Sequence, residues 1–424
     1  MKIHIKNGRI IDPKNGKDAV QDLFIAAGKV LSVGRIPEAF HPNRVIDAGN
    51  RVVCPGLVDL SARLREPGFE YKATLESEMQ AAVAGGITSL ACPPDTDPPL
   101  DEPGLVEMLK HRARSLNQAH VYPLGALTQG LNGKRITEMA ELHDAGCIAF
   151  SQANAPLSDT NVLMCAMQYA ATFGYTVWLR PQDVHLAQGG VAHDGEVATR
   201  LGLPAIPSCA ETIALSGILL LAKETGARIH LCRLSTAEGV EMVRQAKSRG
   251  LAITCDIAAT HVHLSEMDLG FFDANCNLTP PLRSLRDRDA LRAGLKDGTI
   301  DALCSDHAPV DDDAKLLPFA EAESGATGLE LLLPLTLKWA AETKTPLSQA
   351  LAKITHTPAK ILGIDAGELT PGHAADVCIF DPQQYWKIEP NALKSQGKNT
   401  PFLGLEVQGR VAYTLVEGHV VYES

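Results

Sequence analysis

A hydroxyl and a guanidinium lie two residues apart in an apolar run near the start of the chain. The run is Pro55-Gly-Leu-Val-Asp-Leu-Ser61-Ala-Arg63, and an extended strand would direct Ser61 and Arg63 to the same face. Two histidines with this spacing could hold one metal ion. Arginine stays protonated in proteins and has no lone pair to give a cation, so this pair repels a metal instead of binding it.

Short apolar runs alternate with amphipathic segments over most of the chain, which indicates parallel strands joined by crossover helices. Eight such units with no break in the alternation predict an α/β fold, the (β/α)8 barrel, whose functional groups lie at the C-terminal ends of the strands. Candidate helices include 209–225 and 236–248. The candidate strands are 57–63, 87–92, 121–127, 147–151, 176–180, 228–234, 252–258 and 301–306.

Both ends of the chain have a different pattern, in which apolar and polar residues alternate with period two. This pattern covers residues 1–52, 374–384 and 406–423. Turn signals occur at Asn7-Gly8, Ala27-Gly28 and Glu417-Gly418. The ends are therefore predicted to be β-rich.

The composition is typical of a globular enzyme scaffold. The chain has 424 residues, of which 45% are hydrophobic and 21% charged, enough for a large domain and a smaller one. No apolar stretch is long enough for a membrane span and the start lacks the apolar core of a signal peptide, so a cytoplasmic protein is expected. The ten cysteines are scattered, as expected of reduced thiols. The formal net charge of -11 argues against a nucleic-acid partner.

Eight motifs follow one another along the chain in an order and spacing that chance does not explain. They are Pro55-Gly-Leu-Val-Asp59, Leu64-Arg-Glu-Pro-Gly68, Ala84-Gly-Gly-Ile-Thr88, Cys92-Pro-Pro-Asp-Thr-Asp-Pro98, Ser235-Thr-Ala-Glu238, Thr279-Pro-Pro-Leu-Arg283, Ser305-Asp-His-Ala-Pro309 and Asn399-Thr-Pro-Phe402. Together they resemble the dihydroorotases of the cyclic amidohydrolase superfamily over essentially the whole chain. The resemblance implies a barrel over 53–373 and one composite β domain formed by 1–52 and 374–424.

The resemblance also implies metal ligands on strands one, four, five, six and eight. At those positions this chain has Ser61, Arg63, Gln152, Arg180, Arg233 and Asp306. Only Asp306, which in the family binds metal and acts as general base, is still a ligand. Catalytic zinc sites need about three protein ligands, and three guanidiniums oppose a divalent cation. We therefore predict a pseudoenzyme that binds neither metal nor another cofactor.

The substrate pocket implied by the resemblance is altered in the same way. Arg65 stands where the family clamps the substrate carboxylate. The two family asparagines fall at Asp95 and Thr279, and a family histidine falls at Val310. An aspartate at the place of a carboxylate substrate repels it, so the pocket is predicted to be vestigial.

The three arginines at ligand positions have two interpretations. In the first, Arg63, Arg180 and Arg233 pair with carboxylates and restore the positive charge once supplied by metal, because an unpaired buried carboxylate is costly. The carboxylates considered are Asp306, Asp59, Asp183 and Glu66. In the second interpretation the arginines form an anion pocket for phosphate or a dicarboxylate.

Other reactive residues are interpreted as structural. His261 and His263 form a His-x-His pair after predicted strand seven, where bound zinc would occupy a new site, and packing histidines are expected instead. Cys232 beside Arg233 is interpreted as a core cysteine, although an adjacent cation could activate a thiol. His307 is expected to pack near the barrel mouth.

The resemblance implies a partner as well. In some bacteria inactive dihydroorotase-like proteins are obligate companions of aspartate carbamoyltransferase, the preceding enzyme of pyrimidine synthesis. We therefore predict a non-catalytic subunit that supports aspartate carbamoyltransferase and forms homo- and hetero-oligomers. The alternatives are an active amidohydrolase with a rearranged site that uses Asp306 and either His261 or His263, and a sensor that binds an anion through its arginines.

Overall fold

The computed structural model describes all 424 residues. Its first strands belong to a sheet at the start of the chain: β1 (Lys2–Asp12), β2 (Lys17–Ala26), β3 (Lys29–Val33), β4 (Arg44–Asp47) and β5 (Val52–Pro55). The middle of the chain contains β6 (Leu57–Asp59), β7 (Ile87–Cys92), β8 (His120–Ala126), β9 (Ala149–Ser151), β10 (Thr176–Leu179), β11 (Ala192–His193), β12 (Ala205–Ile206), β13 (Arg228–Leu231), β14 (Ile253–Ala258) and β15 (Ala302–Cys304). The last strands are β16 (Val377–Lys387), β17 (Glu406–Val416) and β18 (His419–Glu423).

Helices connect the strands of the middle region. They are α1 (Leu75–Ala84), α2 (Pro103–Ser115), α3 (Met139–Ala145), α4 (Thr160–Phe173), α5 (Val184–Ala187), α6 (Glu196–Leu201), α7 (Cys209–Thr225), α8 (Ala237–Ser248), α9 (Leu285–Asp297), α10 (Asp312–Lys315), α11 (Leu332–Thr343), α12 (Leu347–Ala352) and α13 (His356–Leu362). Helix α7 has its predicted bounds, and Thr236 is the N-cap of α8 because its hydroxyl accepts from Gly239 N. None of the helices could cross a membrane.

Eight parallel strands form the barrel in the order β15, β14, β13, β10, β9, β8, β7, β6. A parallel bridge between Ala62 and His307, just beyond β6 and β15, joins its two edges. The predicted (β/α)8 barrel is therefore confirmed. Val58, Leu124 and Trp178 fill its interior and are fully buried.

The barrel strands end earlier than the apolar runs predict. Arg233 and Asp306 have φ values of 54° and 46°, which lie in a region that extended strands do not use and that residues other than glycine rarely adopt. The polar residues that follow the strands therefore stand on loops at the barrel mouth.

The second sheet contains strands from both ends of the chain, in the order β18, β17, β16, β5, β1, β2, β3, with β4 paired to β1. Two-residue turns join β2 to β3 at Ala27-Gly28 and β17 to β18 at Glu417-Gly418, and all four residues have positive φ. The predicted turn at Asn7-Gly8 is wrong. Lys6 and Asn7 form a bulge inside β1, between Ile5 and Gly8, and Asn7 has a φ of 61°.

Candidate functional site

The mouth of the barrel gathers charged residues from loops that are far apart in the sequence. Arg63 follows β6, Arg180 follows β10, Arg233 follows β13 and Asp306 follows β15. Asp306 lies at the centre of this group. Its Oδ1 accepts from Arg233 Nη1 at 2.9 Å, from Arg63 Nη1 at 3.4 Å and from Ser61 Oγ at 3.4 Å. Two guanidiniums thus lie next to Asp306 Oδ1, where a metal ion would have to lie if this carboxylate were a ligand.

Arg63 also pairs with the aspartate of the Cys92–Pro98 motif. Its Nε donates to Asp95 Oδ2 at 2.8 Å, and the Arg63 residue is only 6% exposed. Burial alone would lower the pKa of Arg63, but Asp95 and Asp306 outweigh burial and raise it. Burial would likewise raise the pKa of Asp95, and Arg63 reverses that shift so that the pKa falls. Both groups are therefore charged at neutral pH.

Arg180 has no carboxylate partner, so the interpretation that all three arginines pair with acids is wrong for this residue. Its Nε donates to Asn154 Oδ1 at 2.9 Å, and its Nη1 contacts Gln182 Oε1. Burial, followed by the neighbouring charge of Arg233, lowers the pKa of Arg180 to about 9. The guanidinium is thus held beside like charges, and the nearby Asp306 offsets them only in part.

Three of the carboxylates considered as partners have other roles. Asp59 accepts from Ser305 N at 2.7 Å, Asp183 caps helix α5, and Glu66 forms a salt bridge with Arg112. None of these three carboxylates pairs with Arg63, Arg180 or Arg233. The acid that does pair with Arg63, besides Asp306, is Asp95.

Asn154 and a buried acid–histidine pair position Arg233, and sequence reasoning did not assign them this role. Asn154 Oδ1 accepts from Arg233 Nη2 at 2.7 Å, and Asp256 Oδ1 accepts from Arg233 N at 2.6 Å. His230 Nε2 lies 3.1 Å from Asp256 Oδ2. The only sequence signal was the polar segment 151–154 after the fourth strand.

Of the other altered positions, only Thr279 contacts the charged group, because its carbonyl accepts from Arg233 Nη1 at 3.3 Å. Gln152 faces a neighbouring loop, where it accepts from Thr128 Oγ1 at 3.0 Å. Thr279 Oγ1 lies 2.8 Å from Ser324 Oγ. Val310 is buried, and its N–H donates to Asn399 Oδ1 at 3.0 Å.

Each histidine near the mouth has its own hydrogen-bond partner. His261 Nε2 lies 3.0 Å from Pro280 O, and His263 Nε2 lies 2.8 Å from Leu335 O. Burial lowers the pKa of each to about 4. His307 Nε2 lies 2.6 Å from Glu78 Oε2 inside the protein. The thiol of Cys232 is not activated, because burial raises its pKa.

A cavity of about 150 Å³ opens at the mouth between the charged residues. A groove of about 920 Å³ lies at the opposite end of the barrel, next to α2 and the hairpin of β17 and β18. That groove has no comparable group of converging buried charges, so the chemistry indicates the mouth as the functional site. The mouth cavity is lined by Arg63, Arg65, Asp95, Asn154, Arg233, Leu278, Thr279, Asp306, Ala308, Glu323, Ser324 and Gly325.

A catalytic metal does not fit the residues at the mouth. Asp306 is the only ligand-type side chain at the six implied ligand positions, and its Oδ1 already accepts from two guanidiniums. The other carboxylates of the mouth, Asp95 and Glu323, pair with Arg63 and Lys72. The one cluster of three possible ligand side chains in the molecule is Asp365, Glu368 and His373, which lies in the segment before β16. Lys14 forms a salt bridge with Glu368 in that cluster.

Protein purified without chelator is expected to contain well under one zinc ion per chain, because the implied ligand positions keep one ligand, Asp306, where about three are needed. Elemental analysis by mass spectrometry measures this directly. One or two equivalents of zinc that disappear in Asp306→Asn would contradict the prediction. Zinc that persists in Asp306→Asn and disappears in His373→Ala would belong to the cluster before β16.

Comparisons with known proteins agree with the barrel and its motifs. Residues 50–239 match the family model described as dihydro-orotase-like, and residues 201–422 match the amidohydrolase family model. A dihydroorotase-like protein of Pseudomonas aeruginosa is 45% identical over 423 residues, and a protein of Geobacter sp. (strain M21) named dihydroorotase is 41% identical over 424 residues. Each alignment covers 100% of both chains. Among solved structures, L-hydantoinase from Arthrobacter aurescens superposes with a TM-score of 0.89 at 26% identity, covering 99% of this chain and 96% of that one.

Proposed function

Because this chain belongs to the dihydroorotase-like amidohydrolase family, we propose that it is a non-catalytic member that supports the assembly and activity of aspartate carbamoyltransferase. The observation that carries the first half of the proposal is the pairing of Asp306 with Arg63 and Arg233. Two guanidiniums supply the positive charge in this arrangement. Neither can activate a water molecule as a metal does.

Hydrolysis of a cyclic amide needs a strong nucleophile at neutral pH. In metal-dependent hydrolases the metal lowers the pKa of its bound water to about 7. The residue at the family's general-base position is Asp306, whose Oδ1 accepts three hydrogen bonds. A carboxylate acting on ordinary water falls far short of a metal-bound hydroxide, so the site supports no efficient hydrolysis.

Support for a binding role comes from two neighbouring loops that we name the apolar loop pair, residues 266–277 and 311–322. Lys315 Nζ donates to Ala274 O at 2.9 Å, and this contact joins the loops. Phe271 is 97% exposed and Leu316 is 83% exposed. Further exposed side chains on the pair are Met267, Phe272 and Leu317. Several large apolar groups exposed on adjacent loops are typical of a surface that binds another protein.

An active dihydroorotase is the second candidate, because the relative from Geobacter sp. (strain M21) carries that name at 41% identity over its full length. In an active enzyme Asp306 would have to act as the general base, which requires that it be released from its pairs with Arg63 and Arg233. An assay of turnover separates the two candidates.

Hydrolysis of dihydroorotate and closure of carbamoyl aspartate are both expected to be undetectable, with or without added zinc. Restoring the first-strand histidines by Ser61→His and Arg63→His should not produce activity, because Arg180 and Arg233 still oppose a divalent cation. A purified active dihydroorotase in the same absorbance assay is the control. Turnover by the wild type that is abolished in Asp306→Asn would overturn the non-catalytic proposal.

A further inference from the structure

The apolar loop pair carries a negative charge that is not paired within the chain. Its two segments, 266–277 and 311–322, contain seven acidic residues and a single lysine. None of the seven carboxylates forms a salt bridge. The acidic residues are Glu266, Asp268, Asp273, Asp311, Asp312, Asp313 and Glu321.

The cations around the loop pair do not neutralise it. The side chain of Lys315 is half-buried, and its Nζ donates to a backbone carbonyl of the first segment at 2.9 Å. Lys72 pairs with Glu323, an acid just beyond the second segment. Helix α6 lies against the first segment and adds one acid, Glu196, and one cation, Arg200. The net charge of this surface is therefore strongly negative.

The acids flank the exposed apolar side chains in both segments. Phe271 has an acid three residues before it and another two residues after it, and Leu316 has an acid three residues before it and another five residues after it. An apolar centre with a polar rim is the usual anatomy of a protein–protein interface. In the loop pair this rim has a single sign.

The two loops are fixed to each other before any partner binds. Asn277 is 4% exposed, and its Nδ2 donates to Phe319 O and to Ala322 O, each at 2.9 Å. Leu269 and Phe319 are buried in one apolar cluster beneath the exposed side chains. A surface that is already ordered loses little conformational entropy on binding. The loop pair is therefore preorganised for a partner.

The sign of the rim determines which partner fits it. Neighbouring carboxylates repel one another in the free chain, and lysine or arginine side chains of a partner would relieve that repulsion. An acidic partner would add to the repulsion. A bound metal ion is not the expected counter-charge, because the one group of three side chains close enough to hold an ion lies in the segment before β16.

We propose that the apolar loop pair docks onto an apolar patch of its partner that is ringed by lysine and arginine side chains. This inference rests on the proposed support of aspartate carbamoyltransferase and adds the chemistry of that enzyme's docking face. The apolar side chains hold the complex together and set its dissociation rate. The acids of the rim steer the approach of the basic face and set the association rate.

Surface plasmon resonance with the full-length chain and aspartate carbamoyltransferase of the same organism measures both rates. Between about 50 mM and about 500 mM NaCl the association rate is expected to fall about tenfold or more, while the dissociation rate changes less than about threefold. Asp312→Asn combined with Asp313→Asn should lower the association rate about threefold or more at the lower salt concentration and leave the dissociation rate nearly unchanged.

Glu141→Gln combined with Asp144→Asn is the matched control. It removes the same charge from two exposed acids on α3, which follows β8, whereas the loop pair follows β14 and β15. An association rate that does not respond to salt, or that falls equally in both double variants, would overturn the basic docking face and leave the partnership intact. Absence of binding by the wild type at micromolar concentration would overturn the partnership, and this inference with it.

Discussion

Replacing Arg233 by methionine is expected to lower the free energy of unfolding by about 3 kcal/mol. Arg233 is 4% exposed and is the closer of the two guanidiniums that donate to Asp306, at 2.9 Å. Its removal leaves a mostly buried carboxylate with Arg63 alone, at 3.4 Å. Breaking one side of a buried ion pair costs more than the pair contributes, because the remaining charge stays desolvated.

Arg180→Met is the matched control at the same mouth. Arg180 has no carboxylate partner and donates to neutral oxygens of Asn154 and Gln182. Its removal relieves repulsion from Arg233, so the stability is expected to change by less than about 1 kcal/mol or to rise. Urea unfolding followed by circular dichroism measures both variants. A loss in Arg180→Met equal to that in Arg233→Met would show that the pairing with Asp306 does not set the stability.

A double-mutant cycle identifies the atom pair responsible. Asp306→Asn removes the charge that Arg233 compensates, so Arg233→Met should cost less in the Asp306→Asn background than in the wild type. The coupling free energy is expected to be about 1 to 3 kcal/mol. A coupling free energy of zero would mean that Arg233 stabilises the fold through Asn154 or through its backbone contact with Asp256 instead.

Deleting this chain is expected to leave aspartate carbamoyltransferase of the same organism unassembled or nearly inactive, and supplying Asp306→Asn should restore it fully. The physical reason is that the proposed support is a binding function, which needs the fold and no general base. Co-purification followed by light scattering and a carbamoyltransferase assay measures both properties. A carbamoyltransferase that is assembled and active alone, and that does not bind this chain at micromolar concentration, would refute the partnership.

The apolar loop pair gives this prediction a structural control. Phe271→Ser combined with Leu316→Ser removes the two most exposed apolar side chains and is expected to weaken the complex at least about tenfold. Leu220→Ser on α7 is the matched control, because Leu220 is 67% exposed and lies on a separate surface helix. Equal weakening by both variants, or none by either, would place the interface elsewhere on the molecule.

The barrel, and the arginines at the ligand positions that the resemblance implies, could be read from the sequence because both depend on residue type in sequence order. Alternating apolar and amphipathic runs specify parallel strands and crossover helices whatever their detailed packing. Arg63 and Arg233 cannot ligate a metal in any rotamer, because a protonated guanidinium has no lone pair to donate. The predicted turn at Asn7-Gly8 was wrong because a residue with positive φ, such as Asn7, occurs in a bulge inside a strand as well as in a turn.

The pairing of the charges was decided only by the tertiary structure. Sequence could supply candidate acids for Arg63 but could not exclude Asp59, because the choice depends on which loop ends meet at the mouth. In the structure Asp59 accepts a hydrogen bond from Ser305, and Arg63 donates to Asp95. It also leaves Arg180 without an acid. Such contacts join residues far apart in the chain and depend on side-chain rotamers and loop paths, which no local pattern encodes.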